Sequence, residues 1–190
     1  MIISLERSAL LEAVTRLQRA VGSKTSMPVL EGILLSAEQG KVTLISYNLE
    51  MGMKKEIYAK CDEEGDIVIN ARLLCDILRR MNAPQVVITA NEKLACNIKC
   101  GEATFDIMGM AAEDFPEMPT VGSDKSIVID ADIFSEMVKG TIFAVAQNEG
   151  AKPILTGIYV TIEDRILRFV AIDGYRLAIR RHNIDIEGSF

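Results

Sequence analysis

At 190 residues the chain is long enough for one large domain or a domain and a half, because a typical domain takes roughly 100 to 200 residues. Its 49% hydrophobic and 25% charged residues, with a mean hydropathy of +0.20, exclude disordered, collagen-like and low-complexity chains and require a packed core. The 21 Lys and Arg against 27 Asp and Glu give a net charge of -6 and a pI near 5.0, which as bulk charge argues against gripping nucleic acid.

Met1-Ile-Ile-Ser-Leu-Glu6 lacks a basic segment followed by an apolar stretch, and no run reaches about 18 apolar residues, so neither a secretory signal nor a membrane span is expected. A cytoplasmic protein is the expectation. Between Glu6 and Val21 the spacing of Leu10, Val14, Leu17 and Val21 predicts an amphipathic helix with Ser8, Glu12, Thr15, Arg16 and Arg19 outward. Strands rich in β-branched residues follow over 29–37, 41–46 and 51–59. An alternating strand over 66–70 leads into a second helix over 71–81, with Leu74, Ile77, Leu78 and Met81 inward and Arg72, Asp76, Arg79 and Arg80 outward. Strands over 85–90, 93–99 and 103–108 come next. A strand over 127–129 then precedes a helix over 130–145, with Asp130 as its N-cap and Phe134, Met137, Val138, Thr141 and Val145 inward. Phe143 falls opposite that stripe, which predicts a bend at Gly140.

The order is strand, helix, three strands, then the same again, and a third pass begins at Ile127. Pro28-Val-Leu-Glu-Gly-Ile-Leu-Leu-Ser36 and Pro153-Ile-Leu-Thr-Gly-Ile-Tyr-Val-Thr161 share Pro, Leu, Gly and Ile at an offset of 125 residues. Two units are expected to make a first domain over 1–119, and a polar linker covers 120–126. Residues 127–190 hold the first half of a second domain. Glu187-Gly-Ser-Phe190 resembles Glu64-Gly-Asp-Ile67, the lead into the second unit, so a fourth unit is expected to begin where the sequence stops.

Catalytic signals are sparse. His182 is the sole histidine and reads as a solvated surface residue beside Arg180 and Arg181. Cys96 and Cys100 lie about 13 Å apart if in one strand, too far for tetrahedral zinc, so the four cysteines read as free thiols, buried or half-buried. Asp62-Glu-Glu-Gly65 and Glu113-Asp114 lack calcium-loop spacing and read as acidic turns. No glycine-rich loop opens a helix to cradle phosphate. Asp173-Gly174 predicts a hairpin turn with positive φ at both positions. No cofactor or metal is expected.

Three separated motifs carry a resemblance: Gly157-Ile-Tyr-Val160, Phe169-Val-Ala-Ile-Asp-Gly-Tyr-Arg-Leu-Ala178 and Phe105-Asp-Ile-Met-Gly-Met-Ala-Ala-Glu-Asp-Phe-Pro116. With the opening Leu11-Glu-Ala-Val-Thr-Arg-Leu-Gln-Arg-Ala-Val21, they make the chain similar throughout to the bacterial DNA polymerase III beta subunit family, the replication sliding clamps. The resemblance implies an α+β DNA clamp fold of repeated β-α-β-β-β units, helices on one face and antiparallel sheets on the other. It further implies a non-catalytic processivity factor whose full subunit has three domains, two subunits closing as a homodimer ring around duplex DNA. This chain would supply one domain and half of the next, lack the third, and close no ring by itself.

Charge is distributed to suit such a ring: residues 6–24 and residues 72–80 each carry a local +2, leaving -10 elsewhere. The third helix departs from this, with Asp130, Asp132 and Glu136 against Lys139. DNA-facing residues are expected to be Arg16, Arg19, Lys24, Arg72, Arg79, Arg80, Lys139 and Lys152, with Lys24 and Lys152 placed by the resemblance. The resemblance also assigns Leu155, Ile172, Gly174, Tyr175, Arg176 and Leu177 to an apolar pocket for short peptides of the polymerase III alpha subunit, the clamp loader and other clamp-binding proteins. Half of that pocket would be missing here. The family often has Thr in place of Ile172 and His in place of Tyr175, so the wall here is expected to be more apolar. Phe105 and Ile107 match the edge that meets the other subunit. Two other readings are a small-molecule enzyme using Asp173 and Arg176 and a purely structural interaction module.

Overall fold

The computed structural model describes residues 1–22, 26–119, 127–147 and 152–184. It divides into two compact units, Met1–Thr120 and Val121–Phe190.

In the first unit, strand β1 (Ile2–Glu6) leads directly into helix α1 (Arg7–Leu17), and a 3-10 turn over Gln18–Ala20 extends it. Strands β2 (Gly32–Glu38), β3 (Lys41–Tyr47), β4 (Gly52–Tyr58) and β5 (Lys60–Glu63) follow. Strand β6 (Gly65–Asn70) then leads into helix α2 (Ala71–Arg80), capped by Asn70, whose Oδ1 accepts from the Leu73 N–H at 3.0 Å. Strands β7 (Gln85–Ala90), β8 (Ala95–Cys100) and β9 (Ala103–Met108) complete the pattern.

The strands form two antiparallel sheets, ordered β5-β1-β7-β8-β9 and β4-β3-β2-β6. Each lead strand therefore crosses to the sheet of the other repeat: β1 pairs with β7 (Ile3 opposite Ile88), and β6 pairs with β2 (Leu35 opposite Ile67). One core results. Ile3, Leu35, Leu44, Ile67, Ile88 and Ile98 of the sheets are sealed by Leu10, Val14, Leu17, Leu74, Ile77 and Leu78 of the helices. Complete burial of each such side chain contributes about 1.5 to 3 kcal/mol, so α1 and α2 are held to the sheets by their apolar stripes.

Several details differ from the sequence reading. Residues Pro28–Glu31 form a 3-10 turn, with Pro28 in the first position where its missing N–H is harmless, and the strand starts only at Gly32. Asp62 and Glu63 belong to β5 rather than to a turn, because the N-terminal ammonium group holds the Glu63 carboxylate at 3.2 Å while β5 pairs with β1. Glu113 and Asp114 lie in a 3-10 turn.

The second unit has helix α3 (Ala131–Lys139) and one antiparallel sheet, β10 (Tyr159–Glu163), β11 (Ile166–Ile172) and β12 (Leu177–Asn183), in that order. Its register repeats that of β2-β3-β4: Leu34 opposite Ile45 becomes Tyr159 opposite Val170, and Leu44 opposite Lys55 becomes Phe169 opposite Arg180. Asp130 caps α3, accepting from the N–H groups of Asp132 at 2.9 Å and Ile133 at 3.3 Å. The helix is shorter than its periodicity suggests. Thr141 turns its hydroxyl back onto the Met137 carbonyl at 2.8 Å, and a separate 3-10 turn over Ile142–Ala144 follows. Residues 127–129 join no ladder; Ile127 and Ile129 instead pack as apolar cover on Met137, Ile162, Leu167 and Phe169. Phe134 meets Phe169 edge to face at 5.6 Å while remaining about half exposed.

Gly32 and Gly157 occupy the same position of the repeat in different surroundings. A Cβ at Gly32 would overlap the Val68 side chain of β6 and lie 3.1 Å from the Ile69 carbonyl, whereas a Cβ at Gly157 meets nothing within 4 Å. Gly32→Ala is expected to lower urea-unfolding stability by about 1 to 3 kcal/mol through overpacking. Gly157→Ala is expected to change it by less than about 0.5 kcal/mol. Equal effects of the two substitutions would contradict this account of β6 packing.

Candidate nucleic-acid interface and partner surface

Arg16, Arg19, Arg72, Arg79 and Arg80 all project into solvent from α1, its 3-10 extension and α2. Packing explains this: the apolar stripes face the core, leaving the guanidinium groups on the far side. The helices are also tied to each other. Gln18 Nε2 donates to the Ala71 carbonyl at 2.9 Å and Arg7 Nη1 to the Leu78 carbonyl at 3.2 Å. Arg7, counted in the local charge excess, is thus a half-buried strut. Arg16 forms an exposed pair with Glu12 at 2.6 Å, an arrangement worth only a few tenths of a kcal/mol. Arg19, Arg72, Arg79 and Arg80 make no ion pair among the described residues. Arg72 and Arg79, with Asp76 between them, flank a depression of about 690 Å³ beside Gln18, Val21 and Gly22.

Lys139 and Lys152 are exposed in the second unit, and Lys24 lies outside the described residues. Asp132 and Glu136 are exposed on α3, so that helix lacks the cationic face of α1 and α2. Guanidinium groups spaced along helices, with no fork aimed from a recognition element, are suited to phosphate oxygens rather than base edges.

Ile172, Gly174, Tyr175, Arg176 and Leu177 occupy the hairpin between β11 and β12. The turn differs from the expected form: only Gly174 has positive φ, at +93°, and Asp173 serves as acceptor. Its Oδ1 accepts from the N–H groups of Tyr175 and Arg176 at 3.0 Å each, and its Oδ2 pairs with Arg176 Nε at 2.8 Å. A two-residue turn with glycine first is the alternative that fits the strand twist. Asn48, at the same position of the first repeat, does likewise, accepting from Glu50 N–H at 3.1 Å and Met51 N–H at 2.7 Å.

Arg176 also stacks over Phe143 at 5.9 Å, joining the hairpin to the turn after α3. Phe143 was legible only as a residue off the helical stripe. Leu155, half-buried, sits on a separate 3-10 turn whose Leu155 carbonyl accepts from the Ala146 N–H at 2.9 Å. Tyr175 is 98% exposed, Leu177 58% and Ile172 42%, a concentration of uncovered apolar surface.

Phe105 and Ile107 lie on β9, which forms an open edge among the described strands. Register places them beside Ile98 and Cys96, on the core-facing side, yet Phe105 stays 36% exposed because no further strand covers it.

His182 is half-buried rather than freely solvated, sharing a recess with Lys139, Arg180 and Arg181. Cys75, Cys96 and Cys100 are buried and Cys61 half-buried. Burial pushes the Cys96 thiol up to about 11, which suits packing rather than nucleophilic work. Among the described residues no cluster of three or more His, Cys, Asp or Glu is placed to hold a metal, and no helix is long and apolar enough to cross a membrane.

Two outcomes follow from this geometry. The two backbone donors and the Arg176 side chain hold the Asp173 carboxyl below its ordinary value. A depressed folded-state value means that the turn's contribution is complete above the unfolded carboxyl pKa of about 3.9 and fades as pH falls through the folded value. The Asp173 carboxyl carbon should therefore titrate by NMR below the reference, and a midpoint at or above it would contradict the hydrogen bonding. Iodoacetamide at pH 8 should alkylate Cys61 in the native chain and reach Cys96 only after denaturation, as read by peptide mass spectrometry; native labelling of Cys96 would contradict its burial.

Residues 1–119 match the family described as DNA polymerase III beta subunit, N-terminal domain, and residues 128–189 match its central domain. A relative named beta sliding clamp, from Synechococcus elongatus, is 32% identical over 169 residues, covering 88% of this chain and 45% of the relative. The crystal structure of the DNA polymerase sliding clamp from Bacillus subtilis superposes with a TM-score of 0.94 at 28% identity, covering 100% of this chain and 52% of that one. That of the DNA polymerase III subunit beta from Pseudomonas aeruginosa does so at 0.91 and 26%, with the same coverage. The chain thus spans about half the length of the relatives it matches. With both domain matches in order along an α+β clamp fold, the chain belongs to the DNA polymerase III beta subunit family.

Proposed function

We propose that this chain acts as part of a non-catalytic sliding clamp, a cytoplasmic processivity factor that encircles duplex DNA and tethers the replicative polymerase. The observation that carries the reading is the outward guanidinium face of α1 and α2 in a chain of net charge -6. Arginines gathered on one face attract phosphates there, while acidic surroundings disfavour binding elsewhere. Sliding requires few and weak contacts, since each neutralised phosphate adds counterion-release affinity; retention then comes from ring closure. Arg16, Arg19, Arg72, Arg79 and Arg80, together with Lys24, Lys139 and Lys152, are assigned to face DNA.

Ring closure needs edges that accept other strands. The β9 edge, with Phe105 and Ile107, is assigned to the contact between two subunits of a homodimer. The side of β10 left open among the described strands is assigned to a further strand, by analogy with β6 on β2; the empty space at Gly157, against Val68 packed on Gly32, supports this. The exposed hairpin residues Ile172, Tyr175 and Leu177, with Gly174, Arg176 and Leu155, are assigned to one wall of a pocket for partner peptides, those of the polymerase III alpha subunit and the clamp loader among them.

Loaded onto a nicked circular plasmid, a closed clamp ring containing this chain should co-elute with it in gel filtration and be lost after a single linearising cut. Equal retention on circular and linear DNA would sink the ring mechanism. In the same protein, the Arg79→Ala and Arg80→Ala pair should flatten the dependence of log K on log salt by about 0.9 for each phosphate contact removed. An unchanged slope would exclude these two residues from the DNA-facing set.

A further inference from the structure

The outward face of the β4-β3-β2-β6 sheet is partly covered. After β9 the chain crosses it as a strap: Met110 exchanges backbone hydrogen bonds with Val68 at 2.8 and 3.1 Å, Phe115 is buried with Val29, Leu30 and Val68, and Met118 rests on Gly52. Alongside the strap lies a trough of about 750 Å³, within the usual range for binding clefts.

Register defines its floor. One row across the sheet is Asp66, Ser36, Thr43 and Glu56; the next is Leu34, Ile45 and Lys54. Leu34, Ile45 and the buried Phe115 make an apolar strip, and the walls carry five carboxylates against two lysines. Lys41 holds Glu38 at 3.4 Å and Glu56 at 3.6 Å, and Lys54 holds Glu56 at 3.3 Å. Asp66, Glu113 and Glu117 have no ion pair among the described residues. An apolar strip bordered by three uncompensated carboxylates is complementary to one kind of occupant and repels polyanions such as DNA.

We propose that this trough is a docking site for a short basic peptide segment of a partner protein, an apolar side chain of the segment seated over Leu34 and Ile45 and its Lys or Arg side chains meeting Asp66, Glu113 and Glu117. The apolar contact supplies affinity and the carboxylates select charge. The site lies in the first unit alone and does not depend on ring closure.

The test uses the whole 190-residue chain and a fluorescein-labelled octapeptide alternating lysine with leucine and phenylalanine, followed by fluorescence anisotropy. The peptide should bind, and weaken as salt is raised from 50 to 300 mM. The Glu113→Lys and Glu117→Lys double variant should bind about tenfold more weakly, as loss of two exposed pairs implies. Reversing Glu92 and Glu102, exposed acids elsewhere on the unit, should have no such effect. Amide NMR shifts should centre on Thr43, Ile45 and Phe115. Absence of binding, binding of a glutamate-for-lysine peptide with equal strength, equal loss in both double variants, or shifts centred elsewhere would each overturn the proposal.

Discussion

The exchange of lead strands is the constraint on which the first unit rests. Because β1 joins β7 and β6 joins β2, each sheet is completed only by the other repeat, and neither repeat buries its own apolar face. Without the exchange, the backbone groups that β1 turns toward β7 and β6 toward β2 would lose these partners, and leaving such groups unpaired in a core is expensive. The exchange also brings α1 and α2 side by side over one shared core, because each helix follows directly from an exchanged strand.

That placement sets the electrostatics. A helix whose apolar stripe is committed to the core has one direction left for its charges, so the arginines of α1 and α2 share a face, and no ion pair between the helices is needed to put them there. Arg7 marks the limit of this logic: at the first position of α1 its guanidinium lies against the last turn of α2 and is used for attachment. The face opposite the helices follows a different rule. There Lys41 and Lys54 neutralise Glu56 and leave other carboxylates uncompensated, so the two sides of the sheet layer differ in the sign they present.

Much of the fold was legible because its signals are periodic. Leu10, Val14 and Leu17 mark α1, and Leu74, Ile77 and Leu78 mark α2, since both helices lie half in the core and keep a clean stripe. The repeat was legible from Pro28, Leu30, Gly32 and Ile33 against their counterparts at 153–158, and the two sheets share one register. What escaped detection depends on contacts between distant segments. β5 looks like an acidic turn until the N-terminal ammonium group is placed beside Glu63. The end of α3 is set by the Thr141 hydroxyl turning inward, which a count of apolar residues does not register. The hairpin at Asp173 is legible in position but not in type, because the sequence pair Asp-Gly does not reveal whether the aspartate is a central residue or the acceptor that organises the N–H groups of Tyr175 and Arg176. Phe143 joins the hairpin proposed as a partner surface only through Arg176, thirty-three positions along the chain.

The two glycines of the repeat carry the argument furthest. Glycine at the start of a strand forfeits side-chain packing and gives up about 0.5 to 1 kcal/mol in conformational entropy relative to alanine. At Gly32 the reason for tolerating that loss is visible, since Val68 occupies the space a side chain would need. Gly157, two residues before β10, has empty space beside it and precedes a strand that, among the described strands, leaves an open edge with Tyr159 and Val160 exposed. An open edge with apolar side chains is a liability unless something pairs with it. The proposed further strand on β10 removes both anomalies together: it satisfies the edge and supplies the side chain for which a glycine at 157 makes room.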